Sequence, residues 1–194
     1  MLWQTILRYP TAVTLPAGTH RKCGSSTPAP VPSVRNHGHM SRTLEADLDA
    51  PVTRPAIWHG SPDLDQANEM SAGSAIGHLG IEFTELGETH LTGRMPVDDR
   101  TRQPFGILHG GASVLLAESL VSCAATFAVP PGKACVGMEI NANHLRPVTS
   151  GWVTGTARPI SLGRRSQVWE VRIVDDDDKL VCISRCTMAV IEAA

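Results

Sequence analysis

The sequence predicts an α+β fold in which an antiparallel sheet of about six strands encloses one long apolar helix. Residues 112–128 are mostly apolar and precede "VPPG" (129–132), where two prolines and a glycine end a helix. Short connections between the later strands favour antiparallel neighbours. A sheet with a single apolar helix must curl around that helix to bury it. Alternating segments typical of strands lie at 76–87, 89–97, 134–147, 151–161, 166–175 and 179–192.

The remaining elements follow from local signals. Ser61 followed by Pro62 opens a short helix over 61–70. Residues 97–108 are predicted as a loop. The acidic run "DDDDK" (175–179) is predicted as the tight turn of a hairpin rather than a metal site, because four adjacent Asp side chains cannot converge on one ion without other ligands.

Residues 1–50 differ from the rest of the chain. Their first acidic residue is Glu45, and the segment "STPAPVPS" (26–33) cannot hold a helix or a central strand. We interpret this region as a disordered N-terminal extension. Its basic, acid-poor composition also fits an organellar transit peptide, and a translation start at Met40 would leave most of it untranslated. The globular domain is predicted over 57–192.

Composition limits the classes of function. The net charge of −2 over 194 residues gives no reason to expect a nucleic acid or membrane partner. The five cysteines form no Cys-x-x-Cys pair, which is typical of free thiols in a reducing cytosol and predicts a cytoplasmic protein. Familiar metal-ligand spacings are missing from the sequence, so we expect neither a metal nor a cofactor.

The helix start carries the sequence His109-Gly110-Gly111. The first amides of a helix lack partners, and the helix dipole makes that end mildly positive. Glycine lets another group approach the backbone closely, so this end is suited to polarising a carbonyl oxygen. The alternative is an ordinary helix start whose glycines serve packing.

Glu118 is the only Asp, Glu, Lys or Arg between residues 107 and 132. A lone carboxylate on an apolar helix should be paired, protonated or at a cleft. At a poorly solvated cleft it would serve as general base or nucleophile, and Ser122 lies one turn further on the same face. A structural ion pair is the alternative.

Gly110 and Glu118 are eight residues apart, or about 12 Å along a helix axis. One small reacting group cannot touch both ends of that span. If both residues act on one carbonyl, Glu118 must come from a second chain, which predicts a homodimer with two shared active sites.

The segments "MPVDDRTRQPFGILHGGASVLLAES", "VGMEINANHLRP" and "SLGRRSQVWEVRI" occur in this order. Together they resemble the hotdog-fold acyl-CoA thioesterase family over about residues 57–192. Within it, they are similar to the branch that hydrolyses 1,4-dihydroxy-2-naphthoyl-CoA in menaquinone synthesis or proofreads enterobactin synthesis. The resemblance implies hydrolysis of a CoA thioester, with an aromatic acyl group favoured, in a homodimer or homotetramer. Coenzyme A enters as part of the substrate.

The resemblance also implies roles for individual residues. Glu118 matches the catalytic carboxylate, and the amide of Gly110 matches the group that polarises the thioester oxygen. Gln103 and His109 match residues that position the thioester, and Ser122 matches a polar residue near the carboxylate. The CoA-binding surface corresponds to Gly137, His144, Arg146, Ser161, Gly163, Arg164, Arg165 and Ser166.

Three readings of function remain open at this point. The first is a thioesterase, either selective for an aromatic acyl group or of broad, proofreading specificity. The second keeps the fold but hydrates an acyl thioester. The third is a non-catalytic module that binds acyl-CoA, although Glu118 argues against it. Ordinary surface arginines are the alternative to phosphate contacts at Arg164 and Arg165.

Overall fold

A computed structural model of the chain describes residues 56–193. The predicted extension over residues 1–50 lies outside the described residues. Six strands form one sheet in the order β1-β2-β4-β5-β6-β3, and every neighbouring pair is antiparallel. The elements are α1 (Leu64–Ser71), α2 (Ala75–His78), β1 (Glu82–Leu86), β2 (Leu91–Pro96), α3 (Gly110–Phe127), β3 (Lys133–His144), β4 (Trp152–Leu162), β5 (Ser166–Asp175) and β6 (Leu180–Glu192). The predicted fold class is thus confirmed.

Helix α3 is enclosed by the curled sheet. Leu116 and Leu120 are completely buried. Two strand glycines let the helix approach the sheet closely: a Cβ on Gly155 would lie 2.7 Å from Leu120 Cδ1, and one on Gly93 would lie 2.9 Å from Leu120 Cδ2. The long apolar segment therefore forms the core, as its composition predicts. Among the described helices, α3 alone is long and apolar enough to span a membrane, and half of it is buried inside the protein.

One expectation about connectivity is wrong. The short connection between β3 and β4 predicts that they are neighbours, but β5 and β6 lie between them and β3 pairs with β6. The connecting segment crosses the start of α3 instead. There the Leu108 amide donates to Val148 O at 2.7 Å, and Val148 is buried. The curl of the sheet brings the edge strand β3 close enough to the interior strand β4 for this short segment to join them.

Two predictions near the amino-terminal end need correction. Helix α1 begins after Asp63 rather than at Ser61, because the Asp63 carboxylate accepts from the amides of Asp65 and Gln66. The segment predicted as a strand from residue 76 starts with the short helix α2, which is capped by the Ser74 hydroxyl. Its strand begins only at Glu82.

The acidic turn between β5 and β6 is a hairpin turn, as predicted. Asp175 Oδ1 accepts from the amides of Asp177 and Lys179, and Asp178 adopts a positive φ of 60°. Asp176 Oδ2 accepts from the Trp152 amide at 3.0 Å. These carboxylates satisfy backbone donors at the turn.

Strand β3 is the long edge of the sheet. It has 12 residues and hydrogen-bonds to β6 on one side only. A β-bulge at Met138 shifts the pairing between Gly137 and Glu139, and the side chains of Val136 and Met138 are exposed. A long edge with exposed apolar side chains is a surface that another strand can extend.

Candidate active site

The loop before α3 is fixed by its own hydrogen bonds. Thr101 is 1% exposed, and its hydroxyl donates to Pro96 O at 2.7 Å. The His109 amide donates to Thr101 O at 2.8 Å, and the Gln103 amide donates to Ile107 O at 2.8 Å. Sequence reasoning did not single out Thr101, although its buried hydroxyl holds the loop that carries Gln103 and His109.

His109 caps the amino-terminal end of α3 with its ring. Its Nδ1 accepts from the Gly111 amide at 2.8 Å. A nitrogen that accepts a hydrogen bond carries no proton, so the neutral ring is protonated on Nε2. The exposed Nε2–H is thus a donor directed away from the helix.

The orientation of the Gln103 carboxamide is also defined by a hydrogen bond. Its Oε1 accepts from the Phe105 amide at 2.6 Å. The carboxamide orientation is therefore set by a backbone donor, which leaves the Nε2 hydrogens for another acceptor. Gln103 and His109 both offer N–H groups beside the start of α3.

Gly110 lies at the wall of a cleft of about 380 Å³, which we call the Gly110 cleft. A Cβ on Gly110 would lie 2.8 Å from His144 Nε2, so the ring of His144 occupies the space that a side chain would need. Although β3 ends at His144 and Arg146 follows outside the strand, both side chains line this cleft. The lining residues are Gln103, Ile107, Leu108, Gly110, His144, Leu145, Arg146 and Pro147.

Glu118 lines a second cleft of about 190 Å³, the Glu118 cleft. The carboxylate is exposed on the single chain and has no ion-pair partner within residues 56–193. A Cβ on Gly137 would lie 3.2 Å from Glu118 Oε1, so the carboxylate rests directly on the edge strand. The lining residues are Glu118, Gly137, Met138, Glu139, Ile140 and Cys186.

The floor of the Glu118 cleft contains a thiol. Cys186 is 1% exposed, and burial, with the nearby charges of Glu118 and Glu139, raises its pKa to about 11. The Glu139 carboxylate accepts from Asn141 Nδ2 at 3.0 Å. Cys186 and Glu139 were not candidates from the sequence, since neither stands in a recognisable motif and the strand register alone brings Cys186 to Glu118.

The structure distributes the other predicted site residues over separate regions. Ser122 lines a cavity of about 320 Å³ between α1, β1 and α3, with Cys123 and Thr126, rather than the Glu118 cleft. Gly163 and Arg164 line a further cavity near the end of α3. Ser161, Arg165 and Ser166 are exposed around the β4–β5 turn. No residue is shared between the Gly110 cleft and the Glu118 cleft.

The fold is that of a hotdog-fold enzyme, and the comparisons with known proteins identify its class. A family model described as the thioesterase superfamily matches residues 105–182. A 1,4-dihydroxy-2-naphthoyl-CoA hydrolase of Escherichia coli strain K12 is 46% identical over 135 residues, which are 70% of this chain and 99% of that protein. A proofreading thioesterase of Cronobacter turicensis is 48% identical over 134 residues, which are 69% of this chain and 98% of that protein.

Solved structures agree with these relatives. A thioesterase of Haemophilus influenzae has a TM-score of 0.69 at 50% identity and covers 70% of this chain and 95% of its own. A thioesterase of Pseudomonas aeruginosa has a TM-score of 0.69 at 51% identity and covers 71% of this chain and 99% of its own. The chain belongs to the thioesterase superfamily, and it is a thioester hydrolase of the hotdog fold. Hydration and non-catalytic binding are thereby set aside.

Proposed function

We propose that this protein hydrolyses an aromatic acyl-CoA thioester, of the 1,4-dihydroxy-2-naphthoyl type, to the free acid and CoA. The observation that carries the proposal is the separation of two complementary clefts on one chain. One offers N–H donors at a helix start, and the other offers a carboxylate without an ion-pair partner within residues 56–193. These are the two groups that water attack on a thioester requires.

The proposed site is shared between two chains. Eight residues of helix separate Gly110 from Glu118 by about 12 Å, which exceeds the size of a reacting carbonyl and its attacking water. The unpaired side of β3 supports an antiparallel partner strand, and Glu118 rests against Gly137 on that strand. Pairing of two β3 strands would bring the Glu118 cleft of one chain towards the Gly110 cleft of its partner. We expect a homodimer, and a homotetramer built from two such dimers.

The reaction would proceed in the following way. The Gly110 amide and the Gln103 carboxamide donate to the thioester oxygen, where negative charge develops. Glu118 of the other chain activates water or attacks the carbonyl carbon itself. When Glu118 acts as general base, the carbon–sulfur bond breaks and the departing thiolate takes the proton that Glu118 removed from the water. When Glu118 acts as nucleophile, water then hydrolyses the anhydride formed on Glu118 and supplies that proton. In both routes the Nε2–H of His109 donates a hydrogen bond to the thiolate.

The CoA part of the substrate needs cationic and polar groups. His144 and Arg146 border the Gly110 cleft, and Arg165 lies exposed in the β4–β5 turn. Guanidinium groups bind phosphate through paired N–H donors. The proposed contact surface also includes Gly137, Ser161, Gly163, Arg164 and Ser166, and Ser122 is proposed as the polar residue near the Glu118 carboxylate. No metal or cofactor takes part, and we propose a cytoplasmic location.

The identity of the acyl group is tested by measuring thiol release from a panel of acyl-CoA substrates. The panel contains 1,4-dihydroxy-2-naphthoyl-CoA, benzoyl-CoA and straight-chain acyl-CoAs of several lengths. We expect the highest kcat/KM with the bicyclic aromatic substrate, in line with the named hydrolase at 46% identity. Equal rates across the panel would favour the alternative, a thioesterase of broad proofreading specificity, for which the relative at 48% identity is the precedent.

The catalytic carboxylate is tested by Glu118→Gln. Because the amide keeps the shape but cannot take a proton or attack, we expect kcat to fall at least about a thousandfold with little change in thermal stability. The matched control is Glu139→Gln, which alters the other carboxylate of the same cleft and should retain most activity. Wild-type turnover by Glu118→Gln would contradict the proposed mechanism.

A further inference from the structure

The cavity near the end of α3 differs from both clefts of the proposed site. It has a volume of about 350 Å³ and shares no lining residue with the Gly110 cleft or the Glu118 cleft. We call it the Gln167 cavity. Its walls include Ile57, Lys133, Leu162, Arg164, Gln167 and Val190.

Gln167 is a buried polar side chain with a free donor. The residue is 2% exposed, and its Oε1 accepts from Trp169 Nε1 at 2.9 Å. The indole N–H can only donate, so the oxygen must face Trp169 and the NH₂ group must face the other way. This nitrogen has no partner among residues 56–193, and every fully enclosed side-chain nitrogen and oxygen of those residues is partnered. The Gln167 NH₂ group therefore opens into the cavity that the residue lines.

The charges around this cavity favour an anion. Arg164 lines the wall, and within the described part of the chain no carboxylate lies within salt-bridge distance of it. Lys133 is already paired with Glu192. At the nearby end of α3, Phe127 O accepts from the His59 amide at 2.8 Å.

The rest of the wall is apolar, with Ile57, Val129, Leu162 and Val190 among its members. A group bound here would place an acceptor atom on the Gln167 amide and a negative charge near Arg164. The hydrocarbon part of the group would contact the aliphatic side chains. Phosphate has no hydrocarbon part, whereas a small organic acid has one.

From these observations we propose that the Gln167 cavity binds a small organic carboxylate. The carboxylate accepts from the Gln167 NH₂ group at the floor and pairs with Arg164 at the wall, and its hydrocarbon part packs on Ile57, Leu162 and Val190. The inference does not depend on which acyl group is hydrolysed, although Gly163 and Arg164 also belong to the proposed CoA contact surface. Trp169 reports on the site because its indole N–H shares the Gln167 carboxamide, and its ring stacks on Trp58 with centroids 6.4 Å apart.

The test is an NMR titration of the full chain with sodium benzoate and sodium hexanoate at constant ionic strength. We expect saturable shifts of the Gln167 NH₂ and Trp169 indole resonances. Benzyl alcohol, the uncharged match for benzoate, should bind at least about tenfold more weakly. Inorganic phosphate and free CoA form separate arms, because Arg164 is also a proposed CoA contact. Shifts with CoA or phosphate but not with the carboxylates would overturn the proposal.

Three variants complete the test. Gln167→Glu keeps the acceptor for Trp169 but replaces the donor with a negative charge, so carboxylate binding should be lost while the indole resonance stays hydrogen-bonded. Arg164→Ala should weaken binding at least about tenfold. Arg172→Ala removes an equal charge from an exposed strand position and should bind like wild type. Undiminished binding by Arg164→Ala would refute the site, whether or not Gln167→Glu folds.

Discussion

Replacing Gly110 with proline tests the proposed oxyanion contact at a single atom. Within residues 56–193, the amides of Gly111, Ala112 and Ser113 all donate to His109, to its ring or its carbonyl oxygen. The Gly110 amide has no such acceptor. Proline at this first helical position is tolerated, and His109, with φ −73° and ψ 129°, already has the extended conformation that precedes proline.

The expected loss follows from the removal of one donor. A single oxyanion donor contributes about 2.7–4 kcal/mol to the transition state, so kcat should fall about 100- to 1000-fold. Gly110→Ala is the matched control. It adds a Cβ that would lie 2.8 Å from His144 Nε2 but keeps the amide, so it should lose much less activity. Thiol release measures both, and equal losses in the two variants would refute the reasoning.

The same variant tests whether two chains share the site. Co-expression of Gly110→Pro with Glu118→Gln gives mixed dimers in which one of the two sites has both functional halves. With random pairing, half of the dimers are mixed, so the preparation should recover about one quarter of wild-type activity. Each parent alone should be nearly inactive. A co-expressed sample no more active than its parents would place Gly110 and Glu118 in separate, single-chain roles.

Three further changes test the fold around the site. Asn68→Ala should lower the free energy of unfolding by about 2 kcal/mol in urea denaturation, since its carboxamide both donates to and accepts from the backbone of Phe83 on the edge strand β1. Gly155→Ala should cost about 1–3 kcal/mol in the same assay, because its Cβ would lie 2.7 Å from Leu120 Cδ1. Cys186 keeps its proton in the folded state up to a pKa of about 11, whereas an unfolded thiol ionises near about pH 8.5. Stability should therefore decline as pH rises between these values, and Cys186→Ala should flatten that decline.

The first two of these changes have matched controls in the chain. Gln66→Ala alters an exposed residue of the same helix as Asn68 and should leave stability unchanged within about 0.5 kcal/mol. Gly73→Ala adds a Cβ that meets nothing within 4 Å and should likewise be neutral. If the free energy of unfolding of Cys186→Ala declines above pH 9 as steeply as that of wild type, burial does not raise the pKa of this thiol.

The sequence predicted the architecture because the relevant signals are local. The "VPPG" stop defines the end of α3, and the alternation of apolar residues identifies β5 within its observed bounds of Ser166–Asp175. The position of β3 beside β6 was not predictable from connection length, since it depends on how far the sheet curls. The start of α1 was missed because the capping carboxylate of Asp63 is as strong a signal as the Ser61-Pro62 pair.

The site was predictable in part for similar reasons. Glu118 stands out as a charge in an apolar helix, and His109 and Gly110 stand out at the helix start. The Glu118 cleft also depends on Cys186, which reaches the carboxylate only through the pairing of β6 with β3 across the bulge at Met138. The position of Cys186 depends on the pairing register of β6 with β3. That register is a long-range property, which no local sequence pattern specifies.

The order of the strands also determines when the protein can complete its fold during synthesis. Strand β3 leaves the ribosome before β4 and β5, yet its partner β6 is the last strand to be made. Helix α3 must wait with its apolar surface incompletely covered until β6 arrives. Pairing over such long separations along the chain is slow, and exposed apolar segments favour aggregation in the interval. The nascent chain should therefore depend on chaperones most while residues between β3 and β6 are being translated.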